Sequence, residues 1–141
     1  MEASQRTVLV VEDSPLFRKM VGEFLHALGI ERVLEASNGR AAMEFLAAGR
    51  PDLVCLDLTL PDVSGYDLCE YIRGTKALAT VPVLMISARG TLLDRAQAEE
   101  VGADGYLTKP FSQDEFNQQV LSMLARNVKS LPGGGKNDAR T

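Results

Sequence analysis

Four short apolar runs in this chain each end at a residue with a charged or polar side chain. The run VLVV is followed by Glu12 and Asp13, and LVCL is followed by Asp57. The run VLMI is followed by Ser87, and GYLT by Lys109. Carboxylates hold hard divalent cations such as Mg²⁺, while a hydroxyl and an ammonium can bind the oxygens of a phosphoryl group. The set therefore predicts metal-assisted phosphoryl chemistry.

The elements that position these residues follow a regular alternation of apolar runs and amphipathic helical patterns, which is typical of βαβ units. The predicted strands cover 7–11, Arg32–Ala36, about 53–57, Val83–Ile86 and about 105–108. The predicted helices cover 15–28, about 39–48, about 65–74, about 92–101 and the residues from Ser112 onward. The expected fold class is α/β: a (βα)₅ doubly wound, five-stranded parallel sheet with helices on both faces and the flavodoxin-like strand order 2-1-3-4-5.

In that strand order the first and third strands flank the switch point, where open α/β sheets bind ligands outside the carboxyl ends of their strands. Glu12, Asp13 and Asp57 should therefore meet at one edge, joined by Ser87 and Lys109 from the last two strands. Asp13 and Asp57 as direct ligands, with Glu12 acting through water, match the preference of Mg²⁺. Asp57 is then free to be the nucleophile, as carboxylates are in aspartyl-phosphate chemistry. Any one of these residues alone would more simply be a solvated loop or turn residue.

Length and composition limit the function classes. The chain of 141 residues fits one domain over 7–127, with a disordered or frayed N-terminus over 1–6 and a flexible Gly-rich tail or truncated linker over 128–141. A formal charge of −4 argues against direct nucleic-acid binding. The chain has no long apolar stretch and no signal peptide, so we expect no membrane insertion and a cytoplasmic location. Cys55 and Cys69 lack metal-ligand spacing.

Four sequence blocks together resemble one known family. They are VLVVEDS (8–14), LVCLDLTLPDVSG (53–65), VPVLMISA (81–88) and GADGYLTKPF (102–111). In this order and spacing the chain resembles the receiver domain of two-component response regulators, as in single-domain chemotaxis receivers. The resemblance covers about residues 6–127.

The resemblance implies that Asp57 accepts a phosphoryl group from a sensor histidine kinase or a phosphotransfer protein. It implies that Glu12, Asp13, Asp57 and the main-chain carbonyl of Thr59 hold Mg²⁺, with Mn²⁺ as an alternative. The family more often has a methionine where this chain has Thr59. By resemblance, Thr59 and Arg89 tune the lifetime of the aspartyl phosphate.

The resemblance also implies a switch formed by Ser87 and Tyr106, and a cis peptide bond between Lys109 and Pro110. Phosphorylation should change the surface of the fourth helix, fifth strand and fifth helix, which a downstream protein effector would then read. This predicted output surface includes Leu92, Leu93, Asp94, Arg95, Gln97, Glu99 and Gln118. A monomer and a phosphorylation-dependent dimer are both compatible with its mixed charge.

The predicted function is signalling, and the protein is not expected to be an enzyme. Two alternatives to this function remain open. A haloacid-dehalogenase-like phosphatase also uses a strand-end aspartate, but it typically needs a second aspartate two residues later, where this chain has Thr59. A pseudo-receiver would keep the fold as a phosphorylation-independent protein-binding module and lose the chemistry. The complete set of charged and hydroxyl residues argues against that loss.

Overall fold

The computed structural model describes residues 6–129, with side chains as far as residue 125. The predictions of a frayed N-terminus and a flexible tail fall mainly on residues 1–5 and 130–141, which lie outside the described residues. Among the residues described, no helix is both long and apolar enough to cross a membrane.

Strands and helices alternate along the whole described chain. The strands are β1 (Thr7–Val11), β2 (Arg32–Ala36), β3 (Leu53–Asp57), β4 (Val83–Ser87) and β5 (Gly105–Thr108). The helices are α1 (Pro15–Ala27), α2 (Gly39–Ala48), α3 (Gly65–Gly74), α4 (Leu92–Glu100) and α5 (Gln113–Lys129). β4 is one residue longer than predicted, and α5 continues two residues into the segment predicted as a tail.

The five strands form one parallel sheet in the order β2-β1-β3-β4-β5, which confirms the predicted topology. The register aligns the carboxyl ends of the strands. Val11 pairs with Leu56, so the residues after β1 lie beside the last residue of β3. Ser87 pairs with Thr108, which brings the end of β4 beside the residue before Lys109.

Two apolar layers cover the two faces of the sheet, as the uniformly apolar central strands predict. One layer contains buried side chains of α1 and α5, and the other contains buried side chains of α2, α3 and α4. Phe116 and Val120 of α5 are fully buried and belong to the core face of that helix. Burial of such side chains contributes about 1.5–3 kcal/mol each and fixes the frame that carries the strand ends.

Each of the first four helices is preceded by a capping residue with a hydroxyl or amide side chain. Ser14, Asn38, Ser64 and Thr91 each accept a backbone N–H at the first turn of their helix. The last helix begins with a capping box, because the main chain and side chain of Ser112 exchange hydrogen bonds with Glu115. These caps set where each loop leaves the sheet edge and enters its helix.

Candidate functional site

Three carboxylates converge at the carboxyl edge of the sheet. Glu12 and Asp13 directly follow β1, and Asp57 ends β3, the neighbouring strand. One carboxylate oxygen from each of the three lies within 4.8 Å of the others. Glu12 and Asp57 are 3% and 6% exposed, whereas Asp13 is open to solvent. The predicted acidic cluster therefore has two buried members and one member at its mouth.

Lys109 brings a positive charge into this cluster from the end of β5. Its Nζ donates to Glu12 Oε1 at 2.9 Å and to Asp57 Oδ2 at 3.2 Å. The following peptide bond, between Lys109 and Pro110, is cis, in agreement with the resemblance. The lysine thus contacts two carboxylates that lie 97 and 52 residues away in sequence.

The electrostatics of the cluster favour a further cation. Burial raises the pKa of Glu12, and the charge of Asp57 adds to this rise, while the hydrogen bonds from Lys109 and the Ser14 amide oppose it. Burial lowers the pKa of Lys109, but its hydrogen bond to Glu12 and the charge of Asp57 outweigh burial, so that its pKa is raised. The single ammonium of Lys109 pairs with two of the three carboxylates, so the cluster keeps negative charge that a divalent cation would neutralise.

The donor set fits a hard cation such as Mg²⁺, which prefers oxygen ligands and is usually held by one or two carboxylates together with waters. Asp13 and Asp57 can serve as direct ligands, with Glu12 beside them. Thr59 follows Asp57 closely, and its N–H donates to Asp57 Oδ1 at 3.1 Å. A bridge between Thr59 and Ser64 closes the loop that carries the predicted carbonyl ligand.

The two predicted switch residues are connected through the main chain of Arg89. Its N–H donates to Ser87 Oγ at 3.0 Å, and its carbonyl oxygen accepts a hydrogen bond from the Tyr106 hydroxyl. Tyr106 is buried at 9% exposure, and burial raises its pKa. The main chain of Arg89 therefore links the two hydroxyl groups.

One prediction about the output surface is wrong. Asp94 lies on α4 among predicted surface residues, yet it is 7% exposed. Its carboxylate accepts hydrogen bonds from the Arg89 guanidinium and the Thr91 hydroxyl, both at 2.8 Å. The Thr91 hydrogen bond and, after it, the charge of Arg89 lower the pKa of Asp94 despite desolvation. Because Tyr66 also donates to the Asp94 carboxylate, at 3.4 Å, this residue joins α3, α4 and the loop before α4.

Sequence reasoning also missed the contacts that hold Glu12 in place. The Ser14 N–H donates to Glu12 Oε2 at 3.0 Å, while the guanidinium of Arg18 donates to the Glu12 carbonyl at 2.7 Å. In the sequence, Ser14 stands only as the residue before the predicted helix over 15–28. The signal that could have identified the contact is the short spacing between an acidic residue and the start of a helix, where backbone N–H groups attract anions.

Comparison with known proteins identifies what this arrangement is similar to. The family model described as "Response regulator receiver domain" matches residues 8–121. The transcriptional regulatory protein KdpE of Mycobacterium tuberculosis is 41% identical over 121 residues, which cover 86% of this chain and 52% of that protein. The chain spans about half the length of the curated relatives it matches.

Solved structures give the same result. A putative response regulator from Chloroflexus aurantiacus superimposes with a TM-score of 0.82 at 33% identity, covering 86% of this chain and 98% of that one. The receiver domain of the sensor histidine kinase PA1611 from Pseudomonas aeruginosa, with a magnesium ion coordinated in its active site cleft, superimposes with a TM-score of 0.78. It is 28% identical and covers 85% of this chain and 98% of that one.

Proposed function

Because the chain belongs to the response regulator receiver domain family of two-component signalling, we propose that Asp57 is its phosphoacceptor. The carboxylate of Asp57 carries this proposal. It is buried, one oxygen accepts the N–H of Thr59, and the other accepts the ammonium of Lys109. A nucleophile needs such fixed orientation, since reaction requires the attacking oxygen in line with the leaving group.

In the proposed reaction, a carboxylate oxygen of Asp57 attacks the phosphorus of a phosphohistidine in a sensor histidine kinase or a phosphotransfer protein. The new bond is a P–O bond, the P–N bond breaks, and the leaving imidazole keeps the electron pair. Lys109 then contacts one phosphoryl oxygen and the Ser87 hydroxyl donates to another, which offsets the charge on the transferred group. The product is an aspartyl phosphate, so the chain is modified in signalling rather than regenerated as an enzyme would be.

The proposed metal site consists of Glu12, Asp13, Asp57 and the carbonyl of Thr59, and its proposed occupant is Mg²⁺, with Mn²⁺ able to replace it. When bound, the cation supplies positive charge next to the phosphoryl oxygens. The buried carboxylates and the excess of negative charge over Lys109 support this assignment.

The proposed output is a change in the α4–β5–α5 surface that a downstream protein effector reads. The main-chain link from Ser87 through Arg89 to Tyr106 supports it, because a phosphoryl group that draws the Ser87 hydroxyl would pull on the acceptor of Tyr106. A groove of about 560 Å³ beside Tyr106, Lys109 and Gln118 lies on this surface. If a second copy of the chain occupies this groove, the phosphorylated protein is a dimer. If another protein occupies it, the phosphorylated chain stays a monomer.

Three further parts of the proposal concern lifetime, location and nucleic acids. Thr59 and Arg89 remain the predicted residues that tune aspartyl-phosphate lifetime. The proposed location is cytoplasmic. The prediction that this chain makes no direct nucleic-acid contact rests on its own charge; KdpE, which is named a transcriptional regulatory protein, extends well beyond the matched half. A pseudo-receiver and a haloacid-dehalogenase-like phosphatase remain the competing functions.

Phosphate uptake from acetyl phosphate and Mg²⁺ tests this proposal, with wild type compared with Asp57→Asn. The matched control is Asp67→Asn, which changes an exposed aspartate in the first turn of α3. We expect alkali-labile phosphate on the wild type and the control but none on Asp57→Asn. Labelling of Asp57→Asn equal to wild type would contradict the assignment, absence of labelling throughout would favour a pseudo-receiver, and steady turnover of phosphoesters would favour the phosphatase.

A further inference from the structure

The ammonium of Lys109 lies over an aromatic ring as well as beside two carboxylates. Its Nζ is 4.1 Å from the centroid of the Phe17 ring, within the range of a cation–π interaction. The Lys109 side chain is only 20% exposed, so little water competes with this contact. A partly desolvated ammonium interacts with an aromatic face more strongly than an exposed one does.

The Phe17 ring is held in this position from two sides. Its main-chain N–H donates to the capping Ser14 hydroxyl at 3.3 Å, which fixes the residue in the first turn of α1. Its ring meets Phe111 edge-on, with centroids 5.6 Å apart and an interplanar angle of 87°. Phe111 in turn stacks on the fully buried Phe116. The ring under the ammonium therefore belongs to a packed aromatic cluster that connects α1 with the start of α5.

The three partners of the ammonium differ in one respect that matters for the proposed reaction. Glu12 and Asp57 are also proposed metal ligands, and Asp57 is the proposed phosphoacceptor, so both change their interactions when a metal and a phosphoryl group arrive. The Phe17 ring binds neither. The ring is therefore the partner that can keep the ammonium in place while the two carboxylates change their interactions.

We propose that Phe17 is a positioning residue for the phosphorylation reaction, because the face of its ring holds the Lys109 ammonium at the site. This inference rests on the proposed function of Asp57, and it adds a residue that contacts neither metal nor phosphate. The competing explanation is that Phe17 serves only to fill the aromatic cluster. Phe24 provides the comparison, since it packs against Phe111 and Phe116 of the same cluster.

Stepwise fluorination separates the two explanations, because fluorine withdraws electron density from the ring face while nearly preserving its shape. Phenylalanine with one to four ring fluorines is introduced at position 17 and, as the matched control, at position 24. We expect the rate of phosphate uptake from acetyl phosphate to fall with each fluorine at position 17, by about 5- to 30-fold in total, and to stay constant at position 24. A constant rate at position 17, or an equal fall at both positions, would overturn the proposal.

Side-chain substitutions give a second, independent measurement. Phe17→Leu removes the ring and should slow uptake by a similar factor, whereas Phe17→Tyr keeps the ring face and should restore the rate to within about threefold. In NMR spectra, the ε-methylene protons of Lys109 should be shifted upfield by the ring in wild type, with chelator and with Mg²⁺, but not in Phe17→Leu.

The NMR signal also separates failure of this inference from failure of the proposed function. Identical Lys109 shifts in wild type and Phe17→Leu would show that the ring does not hold the ammonium, and this result overturns the inference whatever the rates. If wild type takes up no phosphate, the proposed function fails, and the Lys109 shift alone then decides where the ammonium is held.

Discussion

Replacement of Gly65 by alanine should disturb the proposed phosphoacceptor directly. A Cβ at Gly65 would lie 2.5 Å from the carbonyl oxygen of Asp57 and 2.7 Å from Cα of Leu58. Ordinary contacts between such atoms are about 3.5–4.0 Å, so the main chain must move by about 1 Å. Both neighbours are backbone atoms, and no side-chain rotation can relieve the clash. Overpacking of this kind costs about 1–3 kcal/mol of unfolding free energy.

The same displacement should also slow the chemistry. Misplacement of a reacting group by about 1 Å can reduce a rate about 100-fold, so we expect a fall of that order in phosphate uptake by Gly65→Ala. Urea unfolding measures the stability, and labelling with acetyl phosphate measures the rate.

Gly74→Ala is the matched control, because it changes a glycine at the other end of α3 where an added Cβ meets nothing within 4 Å. It should be neutral or stabilise the protein by about 0.4–1 kcal/mol and should leave the rate unchanged. If Gly65→Ala matched Gly74→Ala in both stability and rate, the close approach of α3 to Asp57 would not matter, and the reasoning would be refuted.

Three other predictions concern acid stability, thiol reactivity and phosphate lifetime. Hydrogen bonds from two N–H groups at the start of α2 lower the pKa of Asp62. Wild type should therefore be more stable than Asp62→Asn at neutral pH. The difference between their urea midpoints should vanish as the pH falls through the lowered pKa of Asp62. A difference that does not depend on pH would contradict this prediction. Burial raises the pKa of Cys55 to about 12 and that of Cys69 to about 11. Neither thiol should therefore react with iodoacetamide at pH 8 until urea unfolds the protein. Rapid labelling of the native protein would count against their burial. Asp94→Asn breaks the ion pair with Arg89, whose main chain contacts both switch hydroxyls. The radiolabelled phosphate on Asp57 should therefore decay at a changed rate in this variant. An unchanged decay rate would mean that this ion pair does not influence the lifetime of the phosphate.

The fold could be predicted because its signals are local. Alternation of apolar runs and helical periodicity locates the elements, and glycines at 29 and 102 mark helix ends with φ of 89° and 100°. The strand order then brings Glu12 to Asp57 without any contact being known in advance. The placement of the acidic cluster follows from these two steps.

Other contacts could not be predicted because they depend on which way a side chain points. The sequence pattern of α4 is polar on most positions, so nothing distinguishes the buried Asp94 from its exposed neighbours except the spacing Thr91-x-x-Asp94, which is typical of a capping box. Phe17 reads as one more apolar position of an amphipathic helix. Its contact with Lys109 joins two residues that are far apart in sequence, and it depends on the packing of α1 against α5.

The identity of the phosphorylated residue is the most direct test of the proposed function. Wild-type protein is incubated with acetyl phosphate and Mg²⁺, reduced with borohydride, which converts an aspartyl phosphate to homoserine, and mapped by peptide mass spectrometry. We predict homoserine at position 57 and at no other acidic residue. Homoserine at position 13, or a phosphorylated hydroxyl residue with position 57 unmodified, would contradict Asp57 as the phosphoacceptor.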